Sequence, residues 1–179
     1  MKLSNKTEKK IRDAIRRAKD ENRPLSLLFV CLGNICRSPA ADGIMHDMAA
    51  KAGMEDKLII DSCGFYGGHA GDLPDSRMRQ AGRQRGYDFN HRSRTIRPTD
   101  FENFDLIFGM DDRNLADLHE AAPTLEAEEK IIPMAELAQN HPDVDAVPDP
   151  YWSGADGFYH VLNILEDGCG RLLEMIQNS

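Results

Sequence analysis

Cysteine is scarce: there are four in 179 residues, too few for a disulfide framework in a chain of this length. Long hydrophobic runs are missing too. No stretch approaches the roughly 18 apolar residues that a membrane span needs. Residues 1–20 hold no apolar run fit for a signal peptide. These absences predict a reduced, cytoplasmic protein with no membrane span. Basic charge is short as well, at a net −8, and the shortage is uneven. Residues 1–24 carry nine Lys/Arg against four Asp/Glu, whereas the rest carries 13 against 26. A body that acidic repels nucleic acid, whose affinity rests on phosphate neutralisation. The six histidines are scattered without metal-ligand spacing, so we expect no metal and no cofactor.

What remains is an ordinary globular balance, 41% hydrophobic and 29% charged, in a chain long enough to bury a core without staples. Residues 1–24 read as a basic N-terminal appendage, loosely helical or disordered, because Leu3, Ile11, Ala14, Ile15 and Ala18 make only a thin apolar stripe. Residues 25–179 read as one catalytic domain. Leu25 to Cys31 is a near-continuously apolar run, the pattern of a buried parallel strand. Ser38-Pro39 reads as the cap and first position of a helix closed by Gly53. Further strands are expected at Leu58 to Asp61, Asp105 to Phe108 and Lys130 to Ile132. Helices are expected at Pro74 to Arg85, Asp111 to Ala122 and Gly157 to Gln177. Strands alternating with helices predict an α/β fold: a four-stranded parallel sheet with helices on both faces. Ligands in such sheets bind beyond the carboxyl ends of the strands, where Cys31 stands.

The segment Cys31-Leu32-Gly33-Asn34-Ile35-Cys36-Arg37-Ser38-Pro39 reads as an anion cradle. Gly33 and Asn34 tolerate positive φ and let successive N–H groups turn inward. The following helix points its positive end into the same space. Arg37 supplies a planar fork for two phosphate oxygens. The same donors favour the thiolate form of Cys31, placing a nucleophile under a bound phosphate. Cys63 and Cys169 have no activating neighbours in sequence and read as core.

These residues resemble the signature loop of the low-molecular-weight protein-tyrosine phosphatases. The resemblance recurs at Asp61-Ser62-x-Gly64, Leu73-Pro74-Asp75-Ser76-Arg77, His91-Arg92-Ser93-Arg94, Gly109-Met110-Asp111 and Asp149-Pro150-Tyr151-Trp152, and spans residues 25–178. It implies a flavodoxin-like three-layer sandwich. It also implies a metal-free phosphatase that hydrolyses phosphotyrosine in proteins, or small aryl phosphates, and releases inorganic phosphate. Cys31 then carries the phosphocysteine, on a phosphate-binding loop running from Leu32 through Gly33, Asn34, Ile35, Cys36 and Arg37 to Ser38. On the residues alone, Asp149 between two prolines is most simply a turn residue; the resemblance makes it the general acid and base. It makes Leu32, Tyr151 and Trp152 pocket walls, and Ser38, Ser62 and His91 the support that holds Asn34. Family members often have Glu where Asp42 stands, and Tyr where Trp152 stands. An aromatic wall residue is usual where this chain has Gly68, so Phe65 or Tyr66 must replace it, and Tyr66 is the one we take. Cys36 matches the family's redox partner for the nucleophile; its other reading is a small residue packing the loop. An arsenate reductase is a rival on the same loop, but its cysteine relay is missing, since residues 64–168 contain no cysteine. An idle oxyanion-binding module would be favoured only if Cys31, Arg37 or Asp149 were absent.

Overall fold

A computed structural model describes residues 3–179. The chain begins with helix α1 (Asn5–Asp20), and Ser4 caps it by accepting from the Thr7 N–H. Strand β1 (Leu25–Cys31) follows, then α2 (Arg37–Lys51), β2 (Leu58–Gly64) and α3 (Ser76–Gln84). A short α4 (Asp100–Asn103) precedes β3 (Leu106–Gly109); α5 (Asp112–Ala121) and α6 (Leu125–Glu128) lead to β4 (Ile131–Pro133), and α7 (Ala155–Gln177) closes the chain. All four strands are parallel, in the order β2-β1-β3-β4. The expected flavodoxin-like α/β sandwich is what forms. Its topological switch point lies between β1 and β3, beyond the carboxyl end of β1. Cys31 ends that strand.

The alternation of β1 decides the layers. Leu25, Leu27 and Phe29 point into the larger core with α1, α2, α3 and α7, where Ile11, Ile44, Met78, Phe158 and Leu162 are buried. Leu28 and Val30 point the other way, against Phe101 of α4, Leu118 of α5 and Ala127 of α6. Phe29 and Phe108, register neighbours on β1 and β3, stack at 5.1 Å. Among the described residues no helix is long and apolar enough to cross a membrane.

Two expectations need correction. Over residues 3–24 the appendage is neither loose nor disordered: Ile11, Ala14, Ile15 and Ala18 are buried in the main core. The stripe is thin, but small residues at 14 and 18 let the helix lie close. Lys10 donates to the Ile131 carbonyl, and Arg23 forks onto Asp105, so α1 lies along the amino ends of the strands. Met1 and Lys2 lie outside the described residues. The second correction is that α2 begins at Arg37, with Cys36 at the cap position and no side-chain cap. Ser38 is inside the first turn, and its hydroxyl is turned to Cys31 instead.

Candidate active site

Between β1 and α2 the chain curls, and its carbonyls point outward. Leu32 O accepts from Tyr66 N at 2.8 Å, Ile35 O from Asp75 N at 2.7 Å, and Cys36 O from Ala40 N at 3.3 Å. Gly33 O accepts from the Ser93 hydroxyl at 3.0 Å. With these carbonyls taken up by α2 and by segments behind the loop, the arrangement is the one an inward-facing nest of N–H groups requires. Only Asn34 uses the left-handed region, at φ 54°; Gly33 does not need its freedom of φ. Gly64 matters for a different reason. A Cβ there would lie 2.6 Å from Leu32 O and 2.9 Å from Asn34 N, so β2 can back the loop only with glycine at 64.

Arg37 is buried and spoken for. Its Nη1 donates to Asp111 Oδ2 at 2.7 Å and to the Val147 carbonyl at 2.9 Å, while Nη2 lies 3.9 Å from Asp149 Oδ2. Burial works against the guanidinium charge, but Cys31, Asp111 and Asp149 outweigh it and raise Arg37 above its ordinary value. The Val147 N–H donates to Met110 O, so the loop that carries Asp149 is pinned to the residue that follows β3. Asp149 itself caps a turn over Pro150–Trp152 and stays partly open.

The support residues form a chain rather than a cluster. Ser38 Oγ lies 3.0 Å from Cys31 Sγ, and Asn34 Nδ2 donates both to Ser38 Oγ at 2.7 Å and to Ser62 Oγ at 3.1 Å. Ser62 donates to Asp42 Oδ2 at 2.9 Å. The structure records no bond from His91 to Asn34. His91 Nδ1 lies 3.4 Å from Asp42 and 3.6 Å from Asp61, so it can act on Asn34 only indirectly, through Asp42 and Ser62 or through Asp61 and Arg94. The other side of Asn34 is held by Arg94, whose N–H donates to Asn34 Oδ1 at 3.1 Å. The Arg94 guanidinium bridges Asp61 and the fully buried Asp100.

Cys31, Arg37 and Asp149 line a single cavity of about 330 Å³, with Leu32, Ile35 and Cys36 on its floor and Tyr66, Tyr151 and Trp152 at its walls. Two larger depressions, about 670 and 680 Å³, lie under the end of α1 and beside Asp42. Neither holds a nucleophile, so size does not choose the site. Tyr66, not Phe65, replaces the missing aromatic: Phe65 packs into the second core, whereas the Tyr66 ring lies over Gly68, 2.2 Å from where a Cβ there would stand. Tyr151 and Trp152 meet edge to face at 4.9 Å, and Arg77 lies over Tyr151 at 5.3 Å.

Residues 26–179 match the family model described as low molecular weight phosphotyrosine protein phosphatase. The chain belongs to that family. A protein named as a putative low molecular weight protein-tyrosine-phosphatase from Synechocystis is 44% identical over 149 residues, covering 83% of this chain and 94% of that protein. A crystal structure of a protein tyrosine phosphatase from Entamoeba histolytica, with Hepes in its active site, superposes at a TM-score of 0.82 and 42% identity, over 86% of this chain and 97% of that one. YfkJ from Bacillus subtilis superposes at 0.80 and 36% identity, over 87% and 96%. The match starts at residue 26, so α1 lies outside the family's own span.

Several residues of this phosphatase site were quoted in motifs without a role. Asp111, Ser93 and Arg94 all stood in the sequence blocks that carry the resemblance, and Asp42 stood out only as a replacement for Glu. Their parts emerge from contacts across 20 residues of chain for Asp42 and 60 to 74 for the other three. His69, which lines the cavity and pairs with Asp72 at 3.4 Å, was not singled out at all. Asp42, Asp61 and His91 lie close enough to share a cation. Their four carboxylate oxygens already have donors or a histidine partner, however, and the Arg94 cation sits on Asp61, so an ion-pair network describes them better. Cys36, Cys63 and Cys169 are buried thiols, each pushed up chiefly by burial.

Proposed function

We propose that this chain hydrolyses phosphotyrosine in proteins, and small aryl phosphates, through a phosphocysteine on Cys31. The observation that carries the reading is the convergence of Cys31, Arg37 and Asp149 on one cavity with aromatic walls. The inward N–H groups and the Arg37 fork bind the phosphate oxygens of the substrate. The Cys31 sulfur attacks phosphorus; the S–P bond forms as the P–O bond to the phenol breaks. Asp149 gives its proton to the departing phenolate oxygen. Water then attacks phosphorus, Asp149 takes its proton, the S–P bond breaks, and inorganic phosphate leaves. The steps call on no metal.

The rings of Tyr66, Tyr151 and Trp152 offer a flat aryl leaving group faces to pack against. One solved neighbour, at 34% identity, is titled a Drosophila arginine phosphatase, so phosphoarginine belongs in the test. Hydrolysis of p-nitrophenyl phosphate, phosphotyrosine peptide and phosphoarginine is measured with EDTA present, in wild type, Cys31→Ser and Asp149→Asn. Wild type should prefer the aryl esters, and Cys31→Ser should be inactive while still binding vanadate. Asp149→Asn should lose about 10²-fold or more on phenyl phosphate and far less on esters of acidic phenols. Appreciable turnover by Cys31→Ser, or an equal Asp149→Asn loss across the leaving groups, would overturn the mechanism.

A further inference from the structure

Behind the phosphate loop, hydrogen bonds run without a break from solvent to the nucleophile. His46, whose side chain is 57% exposed, places Nδ1 2.8 Å from Asp42 Oδ1. The other Asp42 oxygen accepts from Ser62, Ser62 accepts from Asn34, Asn34 donates to Ser38, and Ser38 meets the Cys31 sulfur. Asp42, Ser62, Asn34 and Ser38 are all buried.

A count of donors gives this chain a direction. An ionised carboxylate can only accept, so Ser62 must spend its single proton on Asp42, and its oxygen is left as an acceptor. The Asn34 amide cannot turn round, because Oδ1 is held by the Arg94 N–H. Its two protons therefore go to Ser62 and Ser38. The Ser38 oxygen is thereby occupied, and its own proton is free to donate. Two acceptors lie in reach, the Cys31 sulfur at 3.0 Å and the Cys63 carbonyl at 3.4 Å. A charged sulfur at the shorter distance wins.

We propose that Asp42, backed by His46, is a positioning residue that sets the direction of this chain, so that Ser38 donates to the Cys31 sulfur. The proposal rests on the reading of Cys31 as nucleophile. A donor on that sulfur stabilises it twice, as the attacking thiolate and as the group leaving phosphorus. An amide at position 42 would present its own N–H to Ser62, compete with Asn34 for the Ser62 oxygen and loosen the amide that orients Ser38. The titratable groups facing Asp42 are His46 from α2 and His91 from the segment after α3; Asp61 of β2 lies beyond His91, with Arg94 on its far side. The bond to Asp42 raises His46 above its ordinary value. The imidazolium therefore backs Asp42 through the mildly acidic range and is lost as pH rises past that raised value.

The test is the pH profile of Cys31 alkylation by iodoacetate, with kcat and KM on p-nitrophenyl phosphate, in Asp42→Asn, Asp42→Glu and His46→Gln. Asp42→Asn should move the alkylation profile up by about one pH unit and cut kcat about tenfold, with KM within about twofold. Asp42→Glu should restore most of both, because it keeps an acceptor-only group. His46→Gln, at an exposed position where folding is not at stake, should shift the profile the same way by less and lower kcat about threefold. A profile that stays in place in folded Asp42→Asn and in His46→Gln would overturn the proposal, as would a Glu variant no better than Asn. A purely structural Asp42 would lower the melting temperature and leave the profile unmoved. Failure of the wild type to hydrolyse the ester, or to lose activity on alkylation, would instead count against Cys31 as nucleophile.

Discussion

Cys36 lines the same cavity as Cys31, five residues further along the loop. Burial, and then the Asp75 carboxylate, push its thiol up from the ordinary value, so it stays protonated while peroxide reacts with Cys31. A sulfenic acid on Cys31 would then have a thiol beside it to condense with, releasing water and forming a disulfide that dithiothreitol reduces. The packing alternative has support too, since Cys36 is only 4% exposed. Peroxide inactivation followed by dithiothreitol separates the two. Wild type should regain most activity with a Cys31–Cys36 linked peptide, and Cys36→Ala should stay largely inactive. Equal recovery without the linked peptide would leave Cys36 as packing alone.

Among the elements, α1 departs most from what its composition suggests. A basic, charge-rich helix looks expendable, yet Ile11 is wholly buried and Ile15 nearly so. Truncating Ile15 to Ala should cost about 2–4 kcal/mol, with the melting temperature falling by about 5–15 °C. The site lies at the opposite ends of the strands, so kcat on an aryl phosphate should stay within about twofold at 20 °C. Thermal melts with kcat measured well below the transition check both halves. An unchanged melt would mean that α1 is not docked in solution, and a collapse of kcat in folded protein would mean that it reaches the site. The Asp149 loop shows the converse. It has little regular structure, but Pro148 and Pro150 stiffen it, and Val147 is pinned between Met110 and Arg37.

For the whole molecule, the charge asymmetry serves docking. The acidic body meets the basic N-terminal segment at Asp105, which accepts from Arg23 through both oxygens and from Ser26. Burial alone would raise this carboxyl, but the Arg23 and Ser26 bonds outweigh it and hold Asp105 below the usual carboxylate range. A depressed value means that the stabilisation is present above the unfolded carboxyl value, about 4, and is lost as pH falls through the lower folded value. Asp105→Asn should therefore be less stable than wild type at pH 7 by about 2 kcal/mol. That gap should close in acid, below about pH 4. Urea unfolding from pH 7 down to 3 measures it; a gap constant with pH would remove the ion pair from the account.

The sequence by itself determined the family resemblance and the segment proposed to do the chemistry, because the parts of that segment are local. A strand, a nine-residue loop and a helix start carry Cys31, Gly33, Asn34 and Arg37. Asp149 stood out only through the family resemblance, since on the residues alone an aspartate between two prolines is a turn residue. The four-stranded parallel sheet also followed from alternating apolar runs, for burial on both faces leaves a continuous signal, whereas the order of its strands came from the fold. Tertiary structure decided the rest, because it depends on what meets across the fold. Ser93 and Arg94 brace the loop from 60 residues away, Asp111 shares Arg37 with Val147, and His91 reaches Asn34 only through intermediaries, Asp42 with Ser62 and Asp61 with Arg94. Tyr66 rather than Phe65 lines the cavity because, just past the end of β2, the second core claims Phe65 and leaves Tyr66 to turn over Gly68. Helix α1 likewise had too thin a stripe to announce its docking. What buries it is the apolar ground it covers, and that ground exists only once the sheet has formed.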